Sequence, residues 1–130
     1  MDEHPNVARI GEGYAAFARG DFAVLKDLFA EDLPWYASGR NQLSGNYHGR
    51  EAVYQFFGKL TELTDSFDLD LHAVFADDDH GAELVIGTAS RGGRRIEFSE
   101  APVFHLRDGK VAEFWDASAD AYAFDQLIGH

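Results

Sequence analysis

Two apolar runs meet across Asp108-Gly109 in the stretch VFHLRDGKVAEFWD, from Val103 to Asp116, and this pattern ties two strands side by side. An Asp-Gly pair between alternating apolar runs is the strongest short-range hairpin signal, because both central residues of the favoured turn need positive φ. With Asp108 and Gly109 in the turn, Arg107 faces Lys110, Phe104 faces Glu113 and Ala101 faces Asp116. An acid and a tryptophan then end a strand deep in a sheet. A carboxylate beside an aromatic wall is the material of a small-molecule pocket.

The rest of the chain supplies partners for that hairpin. Val7, Ile10, Tyr14 and Phe17 recur at helical spacing up to Gly20, and Phe22, Leu25, Leu28 and Phe29 repeat the period in a second, short helix. Leu33-Pro34-Trp35-Tyr36 reads as a strand, and the Gly-, Ser- and Asn-rich stretch from Ser38 to Gly49 as a long loop able to close over something. Val53, Phe56, Phe57, Leu60 and Leu63 form the buried stripe of a third helix. A meander follows, with Phe67, Leu69 and Leu71 alternating with Asp68, Asp70 and His72 before the polar turn at 77–81. Strands are expected from about Ala82 to Ala89, from Arg94 to Leu106 and from Lys110 to about Ala117. A short helix carrying Ala121, Phe124 and Leu127 comes last. Helices first and antiparallel strands afterwards make one α+β domain, a bent sheet cupping helices.

Charge and composition exclude several functions. Asp and Glu outnumber Lys and Arg by 23 to 11, a formal charge of -12, so phosphate backbones and anionic headgroups are repelled. No nucleic-acid or membrane partner is expected. The chain has no cysteine, which removes disulfides, thiol nucleophiles and thiolate metal sites. No apolar run has the length of a signal peptide or a membrane span, and a cytoplasmic location is expected. His48, His72, His80 and His105 fall in different elements without metal-site spacing, so neither a metal nor a cofactor is expected. With 11 phenylalanines, the interior is built of rings.

Three segments carry a family resemblance: LFAEDLPWYASGRNQLSGNYHGREAVYQFFGKL from Leu28 to Leu60, the VFHLRDGKVAEFWD hairpin, and DASADAYAFDQLIG from Asp116. Together they resemble the SnoaL-like branch of the nuclear transport factor two and ketosteroid isomerase superfamily. The resemblance implies a cone-shaped α+β barrel of cystatin-like, nuclear transport factor two-like type. In it N-terminal helices pack on a strongly curved mixed or antiparallel sheet, around a pocket, commonly in a homodimer. It implies no single activity, because the superfamily holds isomerases, cyclases, epoxide hydrolases, dehydratases and proteins without chemistry. Tyr14 resembles the isomerases' oxyanion donor, but the place of their base reads Tyr36-Ala37-Ser38. Asp116 resembles the acid that is catalytic in SnoaL-type cyclases and epoxide hydrolases. The hydrolases' Arg and Asp pair has no match in LVIGTAS, Leu84 to Ser90.

The candidate catalytic residues are Asp116, Glu100 and Tyr14. On a regular strand Asp116 shares a face with Phe114 and Ala112, whereas Glu100 belongs with Phe98, Pro102, Phe104 and Leu106 on the face of Val111, Glu113 and Trp115. Only one set then lines the pocket, unless a bulge admits Val111 and Asp116 to the same face. The alternatives are a helix cap or a solvent-facing acid for Asp116, an exposed carboxylate on the outer face, able to pair with Arg94 or Arg95, for Glu100, and a core ring for Tyr14. The candidate ligand-binding residues are Trp35, Tyr36, Phe56, Phe57, Phe104 and Trp115.

Two functions follow. One is a cavity for a small, largely apolar molecule, with a cofactor-free isomerase- or cyclase-type proton transfer by a carboxylate. The other is a non-catalytic binding or dimerisation module whose cavity is filled by its own aromatics. A homodimer is expected through the outer face of the sheet, since both faces of the last hairpin carry apolar side chains.

Overall fold

The computed structural model describes residues 4–129. The first helix, α1 (Pro5–Arg19), starts where His4 Nδ1 accepts from the Asn6 N–H at 3.1 Å and stops at Gly20, whose φ of 70° is left-handed. Asp21 then caps α2 (Phe22–Leu28) by accepting from Val24 N at 3.3 Å. Strands β1 (Pro34–Ala37) and β2 (Gly45–His48) form a short antiparallel pair before α3 (Arg50–Leu63). The stretch from Ser38 to Gly49 is therefore a loop only in its first part. Its second part is an edge strand, which the sequence hides because only Tyr47 in GNYH is a strand former.

Long strands β3 (Ser66–Ala76) and β4 (His80–Arg91) are followed by β5 (Arg94–Glu100), β6 (Val103–Arg107) and β7 (Lys110–Trp115), and then by α4 (Ala121–Ile128). The strand expected to run from Arg94 to Leu106 is broken at Ala101-Pro102. Pro102 has no N–H to give to a ladder, and the two halves pair with different parts of β4. The sheet runs β2-β1-β7-β6-β4-β3, with β5 also on β4. It is mixed: β1 and β7 are parallel, through Trp35 opposite Phe114 and Tyr36 opposite Trp115, and the other pairings are antiparallel.

The hairpin forms at Asp108 and Gly109, whose φ values of 53° and 77° are those of the expected turn. Its register differs from a regular ladder. Arg107 pairs with Lys110 and Leu106 with Val111, but His105 pairs with Glu113 and Phe104 with Phe114, leaving Ala112 as a bulge. A second bulge at His72 bends β3. These bulges and the break at Pro102 curl the sheet around the helices. Close packing requires two glycines: a Cβ at Gly81 would lie 2.1 Å from the Phe104 ring, and one at Gly87 would lie 2.2 Å from the Phe98 ring. The core of the cone gathers Ile10 and Leu25 from the first two helices, Val53 and Phe57 from α3, and Phe104 and Phe114 from the hairpin.

Candidate functional site

The cone encloses a cavity of about 150 Å³ whose walls are almost wholly apolar. Trp35, Phe56, Phe57, Phe98, Phe104 and Phe114 supply much of the surface. Trp35 stacks on Phe114 with ring centres 3.8 Å apart, and Phe104 stacks on the far side of Phe114 at 5.9 Å. This layered wall holds β1, β7 and β6 together from the inside. The indole N–H of Trp35 is buried without an acceptor among the described residues, and the Phe57 ring stands edge-on at 5.3 Å.

Three carboxyl groups interrupt the apolar lining: Glu83, Glu100 and Asp116. The bulge at Ala112 resolves the conflict between the two expected acids, because it returns Val111, Phe114 and Asp116 to one face. Phe98, Glu100, Pro102 and Phe104 line the cavity as well, so both acids reach it, and the bulge is the one that the sequence left open as able to admit Val111 and Asp116 to one face. Asp116 accepts from the Ser38 N–H through both carboxylate oxygens at 3.1 Å. It does not cap α4, which starts at Asp120 with an acceptor to Ala123 N. Burial raises the Asp116 pKa, while the Ser38 and Ala117 hydrogen bonds pull it back.

Glu100 makes no ion pair with Arg94 or Arg95, since the Arg94 side chain donates to the Gln126 carbonyl instead. Burial, and then the neighbouring Asp116 and Glu83 charges, push its pKa up to about 8. Glu83 is only 3% exposed, and burial raises it to about 7 despite the hydrogen bond donated by Tyr14. Tyr14 does line the cavity, but its hydroxyl is committed to Glu83, and burial with that acid drives its own pKa upward.

The sequence pattern did not point to Glu83. In AELVIGTA the bulky residues Leu84 and Ile86 fall on the outer face and are 44% and 41% exposed, so the apolar pattern points away from the cavity. The available signal was the small residues at Gly81, Gly87 and Ala89, a face that must sit under large rings. Among the expected ligand-binding residues, Trp35, Phe56, Phe57 and Phe104 line the cavity, whereas Tyr36 and Trp115 do not. Period-two alternation turns both of these to the outer face, where their rings lie 5.3 Å apart and Tyr36 donates to Glu113 at 2.9 Å. Among the described residues no group of His, Cys, Asp and Glu could hold a metal ion, and no helix is long and apolar enough to cross a membrane.

Helices on a strongly curved mixed sheet around an inward-facing cavity define the cystatin-like, nuclear transport factor two-like class of α+β folds. The chain belongs to the SnoaL-like domain family, which it matches over residues 10–114. Uncharacterised proteins of Mycobacterium tuberculosis and Mycobacterium bovis are 27% identical over 129 residues, covering 98% of this chain and 98% of theirs. Among solved structures, Bal32a from a soil-derived mobile gene cassette is 33% identical, with a TM-score of 0.90 over 95% of this chain and 96% of that one. A protein of unknown function with a cystatin-like fold from Xanthomonas campestris is 24% identical, with a TM-score of 0.88 over 96% and 98%. IdmH, a candidate polyketide cyclase from Streptomyces antibioticus, shares the fold at 19% identity, with a TM-score of 0.76 over 95% and 99%.

Proposed function

We propose that this protein binds a small, largely apolar molecule in the cone cavity and moves a proton beside a carbonyl group on it, without a cofactor. The observation that carries the reading is a pair of carboxyls on one apolar cavity with opposite hydrogen-bond environments. Asp116 is anchored by a backbone N–H, which favours its ionised form and suits a base. Glu100 has no hydrogen-bond partner among the described residues and stays protonated to about pH 8, which suits an acid. Tyr14, bound to Glu83, positions that acid rather than offering its hydroxyl to a substrate. The open cavity and its inward-facing acids favour an enzyme over a cone filled by its own rings.

Proton exchange tests this directly. Wild-type protein in deuterated buffer is expected to speed exchange of the α-protons of a cyclic aryl ketone such as 2-indanone, followed by NMR. Asp116→Asn is expected to stay folded and lose the acceleration by roughly 10²- to 10⁴-fold, the usual contribution of a positioned base. Exchange no faster than in buffer for the wild type would remove the catalytic reading.

We also infer a homodimer through the outer face of the sheet. Phe75, Ala82, Val103, Trp115 and Tyr36 follow one another across five strands on that face, and Phe75 and Val103 are 60% and 45% exposed. A contiguous apolar row of this kind calls for a partner surface. Light scattering is expected to return a dimer for the wild type and a monomer for Val103→Glu. A wild-type monomer at micromolar concentration would refute the inference.

A further inference from the structure

We propose that the ligand of this cavity carries a protonated amine, received by the carboxyl groups of Glu83, Glu100 and Asp116 inside a cage of aromatic rings. The proposal rests on the reading of the cavity as a ligand site and names the chemical class of its occupant. Its basis is an imbalance of donors and acceptors. Three carboxyls line the cavity, and among the described residues no Lys, Arg or His does. Among the described residues none of the three takes part in an ion pair; the six pairs present all involve other acids. The Tyr14 hydroxyl is spent on Glu83, one backbone N–H serves Asp116, and Glu100 has no donor among the described residues.

Buried charges in proteins are paired, and buried acceptors are hydrogen-bonded. Among the described residues no cation stands beside any of the three and Glu100 lacks a donor as well, so a cationic ligand would supply both. An alcohol brings one donor and no charge, whereas an ammonium group brings three donors and the compensating charge. The rest of the cavity suits the same group, because the faces of Trp and Phe attract cations and the walls include Trp35, Phe56, Phe98 and Phe104. The chain's net charge of -12 draws cations toward the protein and turns anions away. Among the described residues a carboxylate or phosphate ligand would meet three acids and no base. With their pKa values raised to about 7 and 8, Glu83 and Glu100 rest largely protonated near neutral pH, and an arriving cation would draw a proton off them.

A cavity near this size accepts a single aromatic ring. Calorimetric titration with 2-phenylethylamine, 2-phenylethanol and phenylacetate therefore separates the possibilities at constant ring and chain length. The amine is expected to bind at least ~10-fold more tightly than the alcohol, with no detectable binding of phenylacetate. Glu100→Gln and Glu83→Gln are each expected to shrink the amine's advantage. If either variant does not fold, the wild type still decides. Amine binding should release protons from the carboxyls, read as a dependence of the binding heat on the buffer's ionisation enthalpy, and alcohol binding should release none. An alcohol that binds as tightly as the amine, a phenylacetate that binds at all, or amine binding without proton release would overturn the proposal and leave the ligand-cavity reading standing. Failure of all three probes would overturn both.

Discussion

The Glu100→Gln protein is expected to melt about 10 °C above the wild type near pH 9 and at nearly the same temperature near pH 5. Burial holds the Glu100 pKa at about 8, against an ordinary value of 4.5. The sign follows from that direction. A carboxyl whose folded pKa is raised contributes stability that is fully present below its unfolded pKa and lost as pH rises through the folded value. The window is therefore about pH 4.5 to 8, and the wild type weakens across it. Each tenfold change in proton affinity between the folded and unfolded chain corresponds to about 1.4 kcal/mol. Discounted for the water that the open cavity admits, the loss comes to roughly 3 kcal/mol. Glutamine keeps the shape and cannot ionise, so it escapes the penalty. Glu83→Gln should act in the same direction with a smaller effect, because the Glu83 pKa of about 7 is less raised. The two gains will not simply add, since each acid raises the cost of charging its neighbour. Thermal melts of wild type and variants across this range provide the check. Curves that stay parallel from pH 5 to pH 9 would mean that Glu100 is solvated in the folded protein.

What the sequence made legible was the periodic part of the fold. The stripes of α1, α2 and α3 follow from helical spacing, and the Asp108-Gly109 turn follows from the φ requirement of a two-residue hairpin. The irregular parts were not legible, and they are what shapes the site. Ala112 carries no mark of a bulge, being a small apolar residue in an apolar run, yet it decides that Phe114 and Asp116 face inward. Pro102 was a readable break, because a residue without an N–H cannot sit inside a paired strand. Glu83 was hidden for a different reason. This sheet buries rings on its concave face and also leaves Leu84, Ile86 and Val103 on its convex one, so alternation alone cannot say which side is inside. Tyr36 and Trp115 were misplaced by the same ambiguity, since an aromatic beside a cavity-lining residue is one position out of phase with the cavity. The missing information lies in bulges and in which apolar face is covered, and both are set by tertiary packing.

Phe114→Ala is expected to cost the largest amount of stability of any single change in the site, about 4 kcal/mol. The ring is 7% exposed and stacks between Trp35 and Phe104, so truncation removes its burial and two aromatic pairs at once. The location adds to the loss. The parallel pairing of β1 with β7 consists of two residue pairs, one of which is Trp35 opposite Phe114, and so few backbone bonds leave side-chain stacking to hold that seam. A drop in melting temperature of roughly 10–20 °C should follow for a chain of this length. The variant also enlarges an already apolar cavity, and such cavities take up small aromatic molecules. Saturating benzene is therefore expected to restore part of the lost stability in the variant by binding the folded state alone. Urea denaturation with and without benzene measures both effects. A loss below about 1.5 kcal/mol, the range of a volume-conserving core change, would show that the Trp35–Phe114–Phe104 stack does not hold the seam.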